Sequence, residues 1–145
     1  MSTVKDTKSG FSADERAAMK QRAAELKAQR AAKSKADDLQ GVLDAIAKLP
    51  EADRVLAERI HEIVTTVAPS LDPKTWYGFP AYSRNGKVAV YFKPASKFND
   101  RYATLGFEQA AQLDDGQMWP VAFALLSITP AEEERIAELV KRAAG

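Results

Sequence analysis

The chain reads as an α+β domain, and three observations carry that reading. Two apolar stripes at helical spacing fill the stretch before residue 68, short β-prone runs broken by turn signals follow, and a capped amphipathic helix closes the chain. The expected arrangement is N-terminal helices, an antiparallel sheet with an Asn-Gly hairpin, and a C-terminal helix packed on the sheet. With 145 residues, 46% of them hydrophobic, one domain with a real core plus appendages is the expected size.

The first helix is expected to start at Ser12-Ala13-Asp14-Glu15, which has capping-box spacing. From Ala13 to about Ala32 it is built of strong helix formers, but Met19, Ala23 and Leu26 make only a thin stripe, so it reads as peripheral. A second helix is expected over Ala36 to Leu49, where Leu39, Val42, Leu43, Ile46 and Leu49 share one face. Pro50 then opens a third, with Val55, Leu56, Ile60, Ile63, Val64 and Val67 as its stripe and Pro69 as its stop.

From Lys74 onward the signals are those of strands. Asn85-Gly86 tolerates the positive φ of a type I′ turn at both positions, so Tyr82–Arg84 is expected to pair with Lys87–Ala89. Regular register sets Tyr82 opposite Ala89 and Pro80 opposite Tyr91 on one side, leaving Phe79, Ala81, Ser83, Val88, Val90 and Phe92 as the core side. Further strands are expected near Tyr102–Phe107 and Val121–Ile128, with a turn at Asp115-Gly116 and Pro120 marking an edge or a bulge at the start of the last strand. Thr129-Pro130-Ala131-Glu132 repeats the capping logic for a last helix with Ile136, Leu139, Val140 and Ala143 on its buried side.

Composition removes several chemistries. Without cysteine there is no disulfide, thiolate metal site or thiol nucleophile, and His61 stands alone as the only histidine. No stretch approaches a membrane span and the start has no apolar leader, so a cytoplasmic protein with no membrane partner is expected. No catalytic constellation is visible, and a non-enzymatic role is the expectation. The net charge of +1 is unevenly spread: residues 1–35 carry nine Lys/Arg against four Asp/Glu (9 − 4 = +5), and residues 36–145 carry twelve against sixteen (12 − 16 = −4). A basic helical extension, 1–35, thus precedes an acidic domain, 36–145, and the extension can attract nucleic acid or an acidic protein partner.

Two candidate sites follow. On the hairpin, Tyr82, Tyr91, Arg84, Lys87 and Lys93 share a face that is aromatic at its middle and cationic at its end, suited to a planar or anionic small ligand. The competing reading is a tyrosine-bearing sheet face covered by a neighbouring helix. On the third helix, Glu58 and Glu62 lie one turn apart and can present two oxygens to a hard cation such as iron or magnesium. His61 sits beside that pair and reads as a solvated surface side chain, while Trp76 and Trp119 read as core.

The blocks Trp76-Tyr77-Gly78-Phe79-Pro80-Ala81-Tyr82, Asn85-Gly86-Lys87, Val90-Tyr91-Phe92 and Leu113-Asp114-Asp115-Gly116-Gln117-Met118-Trp119-Pro120, followed by the last helix, resemble the YdhG-like (DUF1801) family of small bacterial α+β domains. The resemblance covers about residues 36–145, and Phe11–Lys20 is similar to an extension seen in some members. Some of that family carry the name of frataxin-like iron chaperones, so the resemblance implies a binding protein for iron or a small ligand, with an acidic metal-binding surface.

Overall fold

A computed structural model describes residues 12–145. It contains three α-helices, α1 (Ala13–Ala47), α2 (Glu51–Val67) and α3 (Pro130–Ala144), and five strands, β1 (Asp72–Trp76), β2 (Phe79–Arg84), β3 (Lys87–Lys93), β4 (Ala103–Phe107) and β5 (Ala122–Leu125). The strands form one antiparallel meander in the order β1-β2-β3-β4-β5. The chain divides into two compact units, Met1–Ala36 and Asp37–Gly145.

In the first unit, the described residues form the opening turns of α1. The Ser12 hydroxyl accepts from the Glu15 N–H at 3.2 Å, the forward half of the capping box, and donates to the Glu15 carboxylate at 3.2 Å. Every residue from Ala13 to Ala36 is exposed, Met19 and Leu26 included. The two helices expected on either side of Lys33-Ser34-Lys35 are one continuous helix. Those three residues contain neither Gly nor Pro, so nothing in the backbone stops propagation once the helix has begun.

In the second unit, the last turns of α1 supply Val42 and Ile46 to the core, and α2 adds Leu56, Ile60, Ile63 and Val64. Leu39, Leu43 and Val55 were expected in these stripes but are exposed, because each lies at the margin of a contact surface narrower than the apolar pattern. Pro50 sits one position before α2 as its N-cap, and the helix ends at Val67 with Ala68 in a non-helical conformation ahead of Pro69. The Thr129 cap of α3 is formed: the Glu132 carboxylate accepts from the Thr129 N–H at 2.9 Å and from its hydroxyl at 2.6 Å. Ile136, Val140 and Ala143 are buried as the stripe requires, and Arg59 of α2 pairs with Glu133 in the first turn of α3.

The sheet contains two turns of the same kind. Asn85 and Gly86 have φ of 52° and 80°, and Tyr77 and Gly78, which join β1 to β2, have 52° and 79°. The first was legible as Asn-Gly. The second places tyrosine where Asn or Gly is usual, and only Gly78 hinted at it.

Arg84 pairs with Lys87 and Ser83 with Val88, but Tyr82 pairs with Val90 and Ala81 with Tyr91. Ala89 is thus an extra residue, a β-bulge, and the expected Tyr82–Ala89 and Pro80–Tyr91 pairs do not form. Because the side-chain period is two, one inserted residue turns the rest of β3 over: Tyr82, Val90 and Phe92 face the helices together, and Tyr91 lies on the other side with Phe79 and Ala81. The Ala89 carbonyl accepts from the Glu108 N–H at 3.0 Å, so the bulged residue keeps a backbone partner on β4's side.

Candidate functional site

The bulge decides where the expected ligand residues go. Tyr82 is fully buried in the main core, and its hydroxyl shares a 2.8 Å hydrogen bond with His61 Nδ1. Burial pushes the Tyr82 phenol well up and holds His61 below the ordinary imidazole range. His61 is therefore a half-buried partner of the core and not the solvated side chain its sequence position implies. Tyr82, with no exposed surface, is closed to a ligand.

Tyr91 is half-buried on the opposite face, in a cluster of rings. Its centroid lies 5.4 Å from that of Trp76 and 5.9 Å from that of Phe79, which in turn lies 5.9 Å from Phe98. The ring also covers Gly106 on β4, where a Cβ would collide with it, so glycine and tyrosine fit as a pair. Burial raises the Tyr91 phenol, Glu108 adds to the rise, and Lys93 opposes it. The Lys93 ammonium lies 4.7 Å from the Phe98 centroid and 3.3 Å from the Asp100 carboxylate. Arg84 lies at the hairpin end beside the backbone of Gly145, and Lys87 is exposed there. The five residues expected to share one face therefore do not converge: Tyr82 is core, Tyr91 and Lys93 belong to the ring cluster, and Arg84 and Lys87 flank the turn.

Glu58 and Glu62 are on the exposed side of α2, each beside an arginine: Arg54 at 3.6 Å from Glu58 and Arg59 at 2.8 Å from Glu62. Glu62 is the main cause of the raised Arg59 pKa. Among the described residues no group of three His, Cys, Asp or Glu side chains is arranged to hold a metal ion.

A cleft of about 720 Å³ opens where the end of α1, the β1–β2 turn and the short 3₁₀ turn at Ser96–Phe98 meet. One wall is apolar, with Ala45, Leu49 and Pro50; Lys48 and Lys97 stand at its rim with Asp44, Thr75 and Gly78. Lys48 has no ion-pair partner among the described residues, and the Lys97 ammonium donates only to the Tyr77 carbonyl, at 3.3 Å. Gly78 suits its positive φ, and the Lys97 ammonium occupies the space where a side chain would project.

The Lys97 position depends on a buried acid. Asp53, in the first turn of α2, accepts from the backbone N–H groups of Ala95 at 3.2 Å and Ser96 at 3.0 Å and from the Ser96 hydroxyl. Its carboxylate thereby anchors the 3₁₀ turn from 43 residues away in sequence. Sequence reasoning missed Asp53 because an acid in a helix's first turn is already explained by the dipole. It missed Lys48 and Lys97 because only the fold brings them to one opening.

No family model, curated protein or solved structure matches this chain.

Proposed function

We propose that this chain is a non-enzymatic binding protein that holds a small organic anion in the cleft between the end of α1 and the β1–β2 turn. The observation that supports this most is the cleft itself. Its volume of about 720 Å³ is that of a small-molecule site, with an apolar wall and two ammonium groups at the opening. A ligand with an apolar body and a carboxylate or phosphate would lie on Leu49 and Pro50 and direct its charge to Lys48 and Lys97. The iron-delivery reading rests on the family resemblance alone, since Glu58 and Glu62 already face arginines.

The test is a titration of the isotope-labelled full chain with benzoate and with inorganic phosphate, followed by amide chemical shifts. Benzoate is expected to shift residues around Lys48, Gly78 and Lys97, and Lys48→Ala with Lys97→Ala is expected to abolish those shifts. Perturbation confined to Tyr91 and Phe98, or none at all, would sink the proposal.

A second reading draws on the opening turns of α1. Residues 13–36 carry seven Lys/Arg and three Asp/Glu (7 − 3 = +4), and all are exposed. They present a basic surface to nucleic acid or an acidic protein. Binding to generic DNA that weakens steeply with salt supports this reading; salt-independent or absent binding removes it.

A further inference from the structure

The cleft at the end of α1 holds a carboxylate as well as its two ammonium groups. Asp44 is spaced to pair with Lys48 one turn later, yet neither forms an ion pair among the described residues. Gln40 accounts for the separation. Its amide, one turn before Asp44, donates to Asp44 Oδ1 at 2.9 Å and so holds the carboxylate from the side opposite Lys48. Asp44 Oδ2 has no hydrogen-bond partner among the described residues.

Asp44 is also poorly placed for its own helix. It lies in the last turn of α1, which contains no basic residue, and the macrodipole is negative there, so a carboxylate is disfavoured unless a cation joins it. The backbone adds a second acceptor. The Lys48 N–H reaches the Asp44 carbonyl at 3.2 Å and the Leu49 N–H turns to that of Ile46 at 3.1 Å, so the carbonyl of Ala45, a residue of the cleft, takes neither. This part of the cleft suits an ammonium group, while Lys48 and Lys97 suit an anion and Leu49 and Pro50 an apolar body. An organic anion alone leaves Asp44 unanswered. Building on the cleft as the ligand site, we infer that its ligand is a zwitterion, an α-amino acid with an apolar side chain. The ligand's ammonium group meets Asp44, its carboxylate meets Lys48 and Lys97, and its side chain lies on Leu49 and Pro50. Asp44 thereby sets specificity, because a ligand without the ammonium group brings a second anion beside it.

The experiment compares L-phenylalanine with 3-phenylpropionate, the same molecule without the ammonium group, through amide shifts of the isotope-labelled full chain at pH 7. Both are expected to shift residues around Lys48, Gly78 and Lys97, with phenylalanine binding about tenfold more tightly. Asp44→Asn keeps an acceptor for Gln40 at an exposed position, and it is expected to erase that preference while 3-phenylpropionate binds at least as well as before. Equal or tighter binding of 3-phenylpropionate to the wild type overturns the zwitterion and leaves the cleft as a site for plain anions. So does a preference for phenylalanine that Asp44→Asn does not reduce. Binding of neither at the cleft overturns the zwitterion and the cleft reading together. If the variant misfolds, the wild-type comparison of the two ligands still decides.

Discussion

On the helix side of the sheet Tyr82, Val90, Phe92 and Leu105 are buried under α2, α3 and the last turns of α1, whereas on the other side Ala81 is buried under rings that the strands themselves supply. The first closure needs elements distant in sequence. The second is made within the meander and its following 3₁₀ turn, by Trp76, Phe79, Tyr91 and Phe98. A sheet face can therefore exclude water without a covering helix, provided that a gap such as Gly106 lets a ring lie flat across the strands.

The largest expected difference between the faces is in truncation of their aromatics. Phe92→Ala empties a fully buried site and is expected to cost about 3–5 kcal/mol, while Tyr91→Ala, at a half-buried ring, is expected to cost about 1–2 kcal/mol. Urea melts of both variants compare them directly; equal losses would show that the ring layer is as much a core as the helix side. Next comes Gly106→Ala, which drives a methyl group into the Tyr91 ring and is expected to lose about 1–3 kcal/mol. Tyr91→Ala in the same chain should recover part of that loss if the clash is its cause.

These two predictions also separate what the sequence revealed from what it concealed. The Ser12 cap, the capping box at Thr129 and the Asn85-Gly86 turn were legible, because each depends on residues within a few positions of one another. The matching of faces between β2 and β3 was not. A bulge at Ala89 leaves no mark in composition, and a period-two reading carried through it kept Val90 and Phe92 on the helix side but set Tyr82 with Tyr91 on the outer face and Phe79, Ala81 and Ser83 with the core. The cleft was hidden for a different reason: Lys48, Gly78 and Lys97 meet only when Asp53 has fixed the 3₁₀ turn.

On the helix side, Tyr82→Phe removes the hydroxyl that faces His61 and is expected to cost about 1 kcal/mol, or more if the imidazole is left unpaired. The same pair sets a pH dependence. Burial holds His61 below its ordinary value of 6.5, so between that value and the folded-state value the unfolded chain binds a proton that the folded chain refuses. Stability is thus full above about pH 6.5 and falls as pH drops through that window. The hydrogen-bonded Glu132 adds its own loss only at lower pH, below its ordinary 4.5. Melting temperatures at pH 7 and pH 5.5 are expected to differ less in His61→Gln than in the wild type; an equal difference would remove His61 as the cause.

The smallest expected effect belongs to the ring side. Ser83 is buried beside the bulge and its Oγ has no hydrogen-bond partner among the described residues. Ser83→Ala is expected to leave stability unchanged or raise it by about 1 kcal/mol, since an unsatisfied hydroxyl is removed without opening a large cavity. A clear loss in thermal melting would mean that the hydroxyl is satisfied in solution.

The extra residue in β3 also bears on how this sequence can change in length. Val88 and Val90 pair with neighbouring positions of β2, so Ala89 counts for nothing in the alternation between faces. Deleting it would leave a regular hairpin with Tyr82, Val90, Tyr91 and Phe92 all on their present sides. A deletion at Val90 would bring Ala89 opposite Tyr82 and leave only a methyl group in Val90's buried place, and one at Tyr91 would move Val90 to the ring side. Ala89 is accordingly a position inside β3 that can be lost while the two differently sealed faces keep their contents.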